Sequence, residues 1–205
     1  MTCIKLCGIK RAADIEKVND LKPEYIGFVF WEKSKRNVSI EEAKELKGRL
    51  SDGIKAVGVF VDCEPEFAAG LANKKIIDVI QLHGSEDEAY IRKLRTMTDA
   101  EIIKAFQFCE DPVKNDQIVN AVNESSTDFV LLDAGKGCGN TFDWTITERI
   151  NKKFFLAGGL DPENVKGAID KTKPYAVDVS SGIETDGVKD PAKMERFVNN
   201  VRRIL

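Results

Sequence analysis

Cys7, Asp133 and Arg36 are the side chains whose types and settings best suit them to chemistry. Cys7 ends a short apolar run, Thr2-Cys3-Ile4-Lys5-Leu6-Cys7, and Gly8 follows at once. A glycine there stops a strand and opens a turn, which puts a thiol at a strand exit. Most lone cysteines are small buried hydrophobes, so the thiol needs company before it counts as a base. Asp133 closes the apolar run Phe129-Val130-Leu131-Leu132, and a glycine-rich loop follows it rather than an obvious helix start. That setting weakens the reading of Asp133 as an ordinary turn or cap aspartate. An acid and a base on different strands can protonate a substrate at one point and deprotonate it at another.

Anion recognition has its own signals. Ala157-Gly158-Gly159-Leu160 and Val179-Ser180-Ser181-Gly182 each follow an apolar run. Paired glycines and small hydroxyl residues let backbone N–H groups approach a phosphate closely. Either loop alone is an ordinary tight turn; together they favour a phosphorylated ligand. Lys33-Ser34-Lys35-Arg36 carries three positive charges. Arg36 there can clamp a carboxylate in bidentate fashion, although a solvated basic loop is the commoner fate of such a run. Gln81 and His83 flank Leu82, so strand alternation puts both on one side; a lone histidine is more often structural than catalytic, and both are taken as candidate substrate-binding residues. His83 is the one histidine of the chain and is read as a recognition residue, not the base.

These residues need strands that end on a common face. Eight apolar runs occur in order, at residues 3–7, 25–30, 55–61, 76–82, 101–106, 128–133, 154–157 and 175–179. Several are continuous rather than alternating, as in parallel strands buried on both faces. Between them lie segments with helical spacing. Ile40, Ala43, Leu46 and Leu50 share one face of the segment 40–50, as do Ala89, Ile91 and Leu94 of the segment 85–94, where Ser85-Glu86-Asp87-Glu88 reads as a capping box. Asp161-Pro162 and Asp190-Pro191 read as helix starts. Strand then helix, repeated eight times over 205 residues, gives roughly 25 residues per unit and a closed (β/α)8 TIM barrel, α/β in class, as a single domain over 1–205. The competing open doubly wound sheet lacks its G-x-G-x-x-G after the first strand. In the barrel, strands one and six sit across the mouth from each other, and strand eight neighbours strand one. Alternation puts Lys5 on the same side as Cys7, so an inward Cys7 implies a buried Lys5. A buried lysine needs a carboxylate, and Asp178 on strand eight is the candidate. On this reading Lys5 pairs with Asp178 inside the barrel and favours the Cys7 thiolate.

Composition bounds the rest. Apolar residues are 42% and charged residues 32%, with a net charge of −3 and a predicted pI of 5.4. No basic run supports nucleic acid as a partner. No apolar run approaches ~18 residues, so no transmembrane helix and no membrane partner is expected. The five cysteines form no C-x-x-C pair, and with His83 alone no metal cluster is expected. The compartment is read as reducing and cytoplasmic, without a signal peptide. Oligomeric state is left open.

The ordered set of motifs resembles the phosphoribosylanthranilate isomerase family end to end. It comprises Lys5-Leu6-Cys7-Gly8, Ser34-Lys35-Arg36, Val79-Ile80-Gln81-Leu82-His83-Gly84, Leu131-Leu132-Asp133, Gly139-Asn140-Thr141-Phe142-Asp143-Trp144, Leu156-Ala157-Gly158-Gly159-Leu160 and Val177-Asp178-Val179-Ser180-Ser181-Gly182-Ile183-Glu184. The resemblance implies an Amadori rearrangement in tryptophan biosynthesis. N-(5-phosphoribosyl)anthranilate becomes 1-(2-carboxyphenylamino)-1-deoxyribulose 5-phosphate. It implies Asp133 as general acid on the furanose oxygen, Cys7 as general base at C2, Arg36 on the anthranilate carboxylate and the last two strand-exit loops on the phosphate, with no metal or organic cofactor. One departure is visible: Lys136-Gly137-Cys138-Gly139 stands where the family commonly has Gly-Gly-Thr-Gly. The rival readings are a related sugar-phosphate isomerase of the histidine pathway, which would carry aspartate at Cys7, and a non-catalytic barrel that binds a phosphorylated ligand.

Overall fold

A computed structural model describes residues 1–109, 111–133 and 143–203. Eight parallel strands close a barrel in sequence order: β1 (Cys3–Cys7), β2 (Tyr25–Phe30), β3 (Lys55–Phe60), β4 (Val79–Leu82), β5 (Glu101–Gln107), β6 (Phe129–Asp133), β7 (Phe154–Leu156) and β8 (Ala176–Val179), with β8 pairing back to β1. The helices are α1 (Ala12–Leu21), α2 (Ile40–Gly48), α3 (Pro65–Asn73), α4 (Glu88–Arg95), α5 (Pro112–Glu124), α6 (Val165–Thr172) and α7 (Pro191–Arg202). Short 3-10 helices occupy Trp144–Arg149 and Ser181–Ile183. A small antiparallel hairpin, β9 (Glu184–Thr185) and β10 (Val188–Lys189), lies between β8 and α7.

The continuous apolar runs serve two cores at once. In β6, Leu131 joins the barrel interior while Val130 and Leu132 join the layer between barrel and helices. That layer receives Ile15, Val18 and Leu21 from one face of α1. Each such side chain contributes about 1.5–3 kcal/mol by leaving water. The lower barrel is filled by Tyr25, Val57, Val79, Ile103, Leu131 and Phe155, and the Tyr25 and Tyr175 hydroxyls meet at 3.0 Å.

Several local expectations are corrected. The unit after β6 ends in the 3-10 helix Trp144–Arg149 rather than an α-helix, so seven α-helices, not eight, occur among the described residues. Residues 85–88 do not form a capping box. α4 starts at Glu88 under an Asp87 cap, and Glu86 turns inward, because the Lys104 ammonium in the barrel–helix layer needs its carboxylate at 2.9 Å. α2 stops at Gly48 and leaves Ile40 exposed. Asp161 caps the turn at Glu163 and Asn164, so α6 begins only at Val165. β4 begins at Val79, later than the apolar pattern suggests, because Ile76 and Ile77 are buried in the turn leading into it.

Candidate active site

β1 alternates, so Cys3, Lys5 and Cys7 point inward. The register pairs Lys5 with Asp178, and Lys5 Nζ donates to Asp178 Oδ2 at 2.9 Å with the lysine fully buried. The pairing expected from alternation and barrel closure is thus present. Gly27 stands opposite Cys7 on β2, and a Cβ there would lie 2.6 Å from Cys7 Sγ. Only glycine makes room for the thiol at this point. The Lys5 ammonium and the Cys7 thiol also influence each other electrostatically. Burial is the largest influence on the Cys7 thiol and pushes it up; Lys5 and Lys189 pull it down, Asp178 adds to the rise, and burial prevails. Lys5 therefore favours the thiolate as expected, but does not by itself make Cys7 anionic. Asp178 Oδ1 is buried without a hydrogen-bond partner among the described residues.

Asp133, at the exit of β6, faces the exit of β4. His83 Nε2 lies 3.4 Å from Asp133 Oδ2, and Gln81 Nε2 lies 3.0 Å from His83 Nδ1. Gln81, His83 and Asp133 thus form one polar line across the exits of β4 and β6. The loop behind His83 is braced by buried charge. Lys104 Nζ donates to Gly84 O at 2.6 Å and to Glu86 Oε2 at 2.9 Å, while the Glu86 carboxylate accepts the N–H groups of Asp62 and Gly84.

Arg36 reaches the mouth from the loop after β2. Its stem passes over Gly8, whose φ is +79° and where a Cβ would lie 2.5 Å from Arg36 Cδ. Its guanidinium is not idle. Nε donates to Glu184 Oε1 at 2.7 Å and Nη2 to Glu184 Oε2 at 2.6 Å. Burial raises the Glu184 carboxyl, but the hydrogen bonds from Arg36 and Lys189 overcome it and hold Glu184 below the usual range.

A cavity of about 590 Å³ opens at this end of the barrel, a size suited to a small phosphorylated ligand. Cys7, Arg36, Gln81 and His83 line it, together with Asp133 and Asp178. Gly158, Gly159, Ser180 and Ser181 line the side formed by the loops after β7 and β8. Gly182 does not line it; Gly182 packs against the Leu160 backbone and so holds the two loops together. Ser34 of the basic run also lines the cavity, as do Trp31 and Gln107, which the sequence reading does not single out. Their positions after β2 and at the end of β5 were the available signal. Glu184 and Lys189 were missed as partners of Arg36. The atypical loop 136–139 lies outside the described residues. Among the described residues, no group of three His, Cys, Asp or Glu side chains could hold a metal, and no helix is long and apolar enough to cross a membrane.

The family pattern for N-(5'phosphoribosyl)anthranilate (PRA) isomerase matches residues 4–200. The N-(5'-phosphoribosyl)anthranilate isomerase of Acetivibrio thermocellus is 44% identical, over 98% of this chain and 96% of that protein. The crystal structure of the phosphoribosyl anthranilate isomerase from Thermotoga maritima superposes with a TM-score of 0.87 at 35% identity, covering both chains fully. A further isomerase structure, holding reduced 1-(o-carboxyphenylamino)-1-deoxyribulose 5-phosphate, gives 0.85 at 34% identity, again over both full chains. With a closed eight-stranded barrel, a thiol and a carboxylate at one mouth, and similarity over nearly the whole length, the chain belongs to the N-(5'-phosphoribosyl)anthranilate isomerase family.

Proposed function

We propose that Asp133 and Cys7 are the general acid and general base with which this isomerase of tryptophan biosynthesis carries out its Amadori rearrangement. The observation that carries the reading is convergence: Cys7, Asp133, Arg36 and both small-residue loops line one cavity. The loops with Gly158, Gly159, Ser180 and Ser181 take the phosphate, and Arg36 takes the anthranilate carboxylate. The same two groups are present in the ligand named for the related complex. With both ends held, the ribose lies between the acid and the base. Protonated Asp133 gives its proton to the furanose oxygen, and the C1–O bond breaks to leave an iminium ion. The Cys7 thiolate removes the C2 proton, and the electron pair moves into the C1–C2 bond to give an enolamine, which tautomerises to the ketone. Lys5 beneath Cys7 stabilises the thiolate during that step.

The test is steady-state kinetics by fluorescence of phosphoribosylanthranilate consumption. Cys7→Ser should lower kcat by about 10²–10⁴, the usual contribution of a positioned base. Near-normal turnover would remove Cys7 from the mechanism. Asp133→Asn should lower kcat comparably with KM little changed; a collapse of binding instead would make Asp133 a positioning group.

A further inference from the structure

We propose that Glu184 and Lys189, the paired residues of the β9–β10 hairpin, are positioning residues for Arg36, aiming its free edge at the substrate carboxylate. The proposal rests on Arg36 as the carboxylate anchor. A guanidinium has two bidentate edges, one formed by Nε and Nη2 and one by Nη1 and Nη2. Glu184 takes the first edge with both oxygens, at 2.7 and 2.6 Å. Among the described residues, Nη1 makes no hydrogen bond, so the second edge is left open. Arg36 and Glu184 also border a second, smaller hollow with Trp31, Ser34 and Gly187.

Glu184 would cancel the positive charge of Arg36 if it stood alone. Lys189 prevents that. Its ammonium, nearly fully buried, donates to Glu184 Oε1 at 2.6 Å. Two cations and one carboxylate leave one net positive charge at the clamp. Backbone register sets this arrangement, since Lys189 pairs directly with Glu184 across the hairpin. Lys189 also donates to Ser180 O at 2.9 Å, and Ser180 Oγ donates to Cys7 O at 3.2 Å. One lysine thus joins the carboxylate clamp to the phosphate loop and the exit of β1. The hairpin is itself tied down: Lys193 Nζ donates to Glu184 O at 2.7 Å, and Arg11 Nη2 donates to Lys189 O at 3.0 Å. An otherwise rotamer-rich arginine is held in one pose before substrate arrives, which is the use of preorganisation.

The experiment is a kinetic double-mutant cycle on the full chain with phosphoribosylanthranilate as substrate and inorganic phosphate as competing probe. Arg36→Met should raise KM about 10–100-fold, as expected for loss of a charged bidentate contact. Glu184→Gln, which keeps size, should raise KM about tenfold with kcat at saturation little changed and phosphate inhibition unchanged. In the Arg36→Met background, Glu184→Gln should add nothing, because it acts through the missing side chain. Lys189→Met should weaken both KM and phosphate inhibition, and Lys189→Arg should recover much of each. An unchanged KM in Glu184→Gln, or effects that multiply in the double variant, would overturn the proposal while leaving Arg36 as anchor. An unchanged KM in Arg36→Met would overturn the anchor itself and the proposal with it.

Discussion

Replacing Lys5 by methionine keeps most of the length of the side chain and removes its charge. The change strands the Asp178 carboxylate in the barrel, where Oδ2 has Lys5 Nζ at 2.9 Å and Oδ1 has no partner among the described residues. Breaking a buried ion pair by deleting one member costs about 3–5 kcal/mol. For a domain of 205 residues, each kcal/mol moves Tm by about 2–4 °C, so the expected loss is between about 6 and 20 °C. Burial works to lower the Lys5 ammonium, but Asp178 and Cys7 overcome it and leave Lys5 raised. Its stabilisation is therefore full below the ordinary lysine range and lost only as pH rises through the higher folded value. In the parent, the contribution of Lys5 should accordingly persist up to the ordinary lysine range. Lys5→Met/Asp178→Leu removes both charges and should recover most of the stability. That double variant isolates the effect on the Cys7 thiol. Lys5 lowers the Cys7 thiol more than Asp178 raises it, so losing both should move the rising limb of the kcat/KM profile to higher pH. Differential scanning fluorimetry and a pH–rate series read the two effects. A single variant as stable as the parent, or a folded double variant with the parent's pH profile, would refute the reasoning.

Other outcomes are expected on the same grounds. Gly8→Ala forces an L residue into φ +79° and its Cβ into the Arg36 stem; it should cost about 1–2 kcal/mol and raise KM, read by melting and kinetics. Lys104→Met leaves Glu86 buried and unpaired; about 3–5 kcal/mol should be lost, with faster amide exchange at Gly84 and Asp62. A thiol reagent at neutral pH should modify exposed Cys109 well before Cys7, whose thiol is buried and raised; peptide mapping after a short pulse would show the order.

The barrel and the Lys5–Asp178 pair were legible in the sequence because both follow from periodicity. Strand alternation fixes which side Lys5 takes, and closure makes β8 its neighbour. Legibility ended where the partner lay far off and no period pointed to it. Arg36 meets Glu184 across 148 residues, through a hairpin whose strands are two residues long. Glu86 sits in a run that fits a capping pattern, yet its carboxylate goes to Lys104, eighteen residues on; tertiary charge pairing outweighed a local cap. Gly27 lies unmarked inside the apolar run 25–30, and its reason appears only when Cys7 stands opposite it.

The aromatic floor of the barrel has a consequence for traffic. Tyr25, Phe155 and their neighbours fill the lower interior, and the tyrosine hydroxyls latch together beneath it. Among the described residues the cavity is a sack with a single door. Product must leave by the way substrate came, past Arg36 and the loops after β7 and β8, since the described residues fill the barrel below. Product should therefore compete with substrate for one entrance, and its departure, rather than a bond change, is well placed to limit turnover once the chemistry is fast.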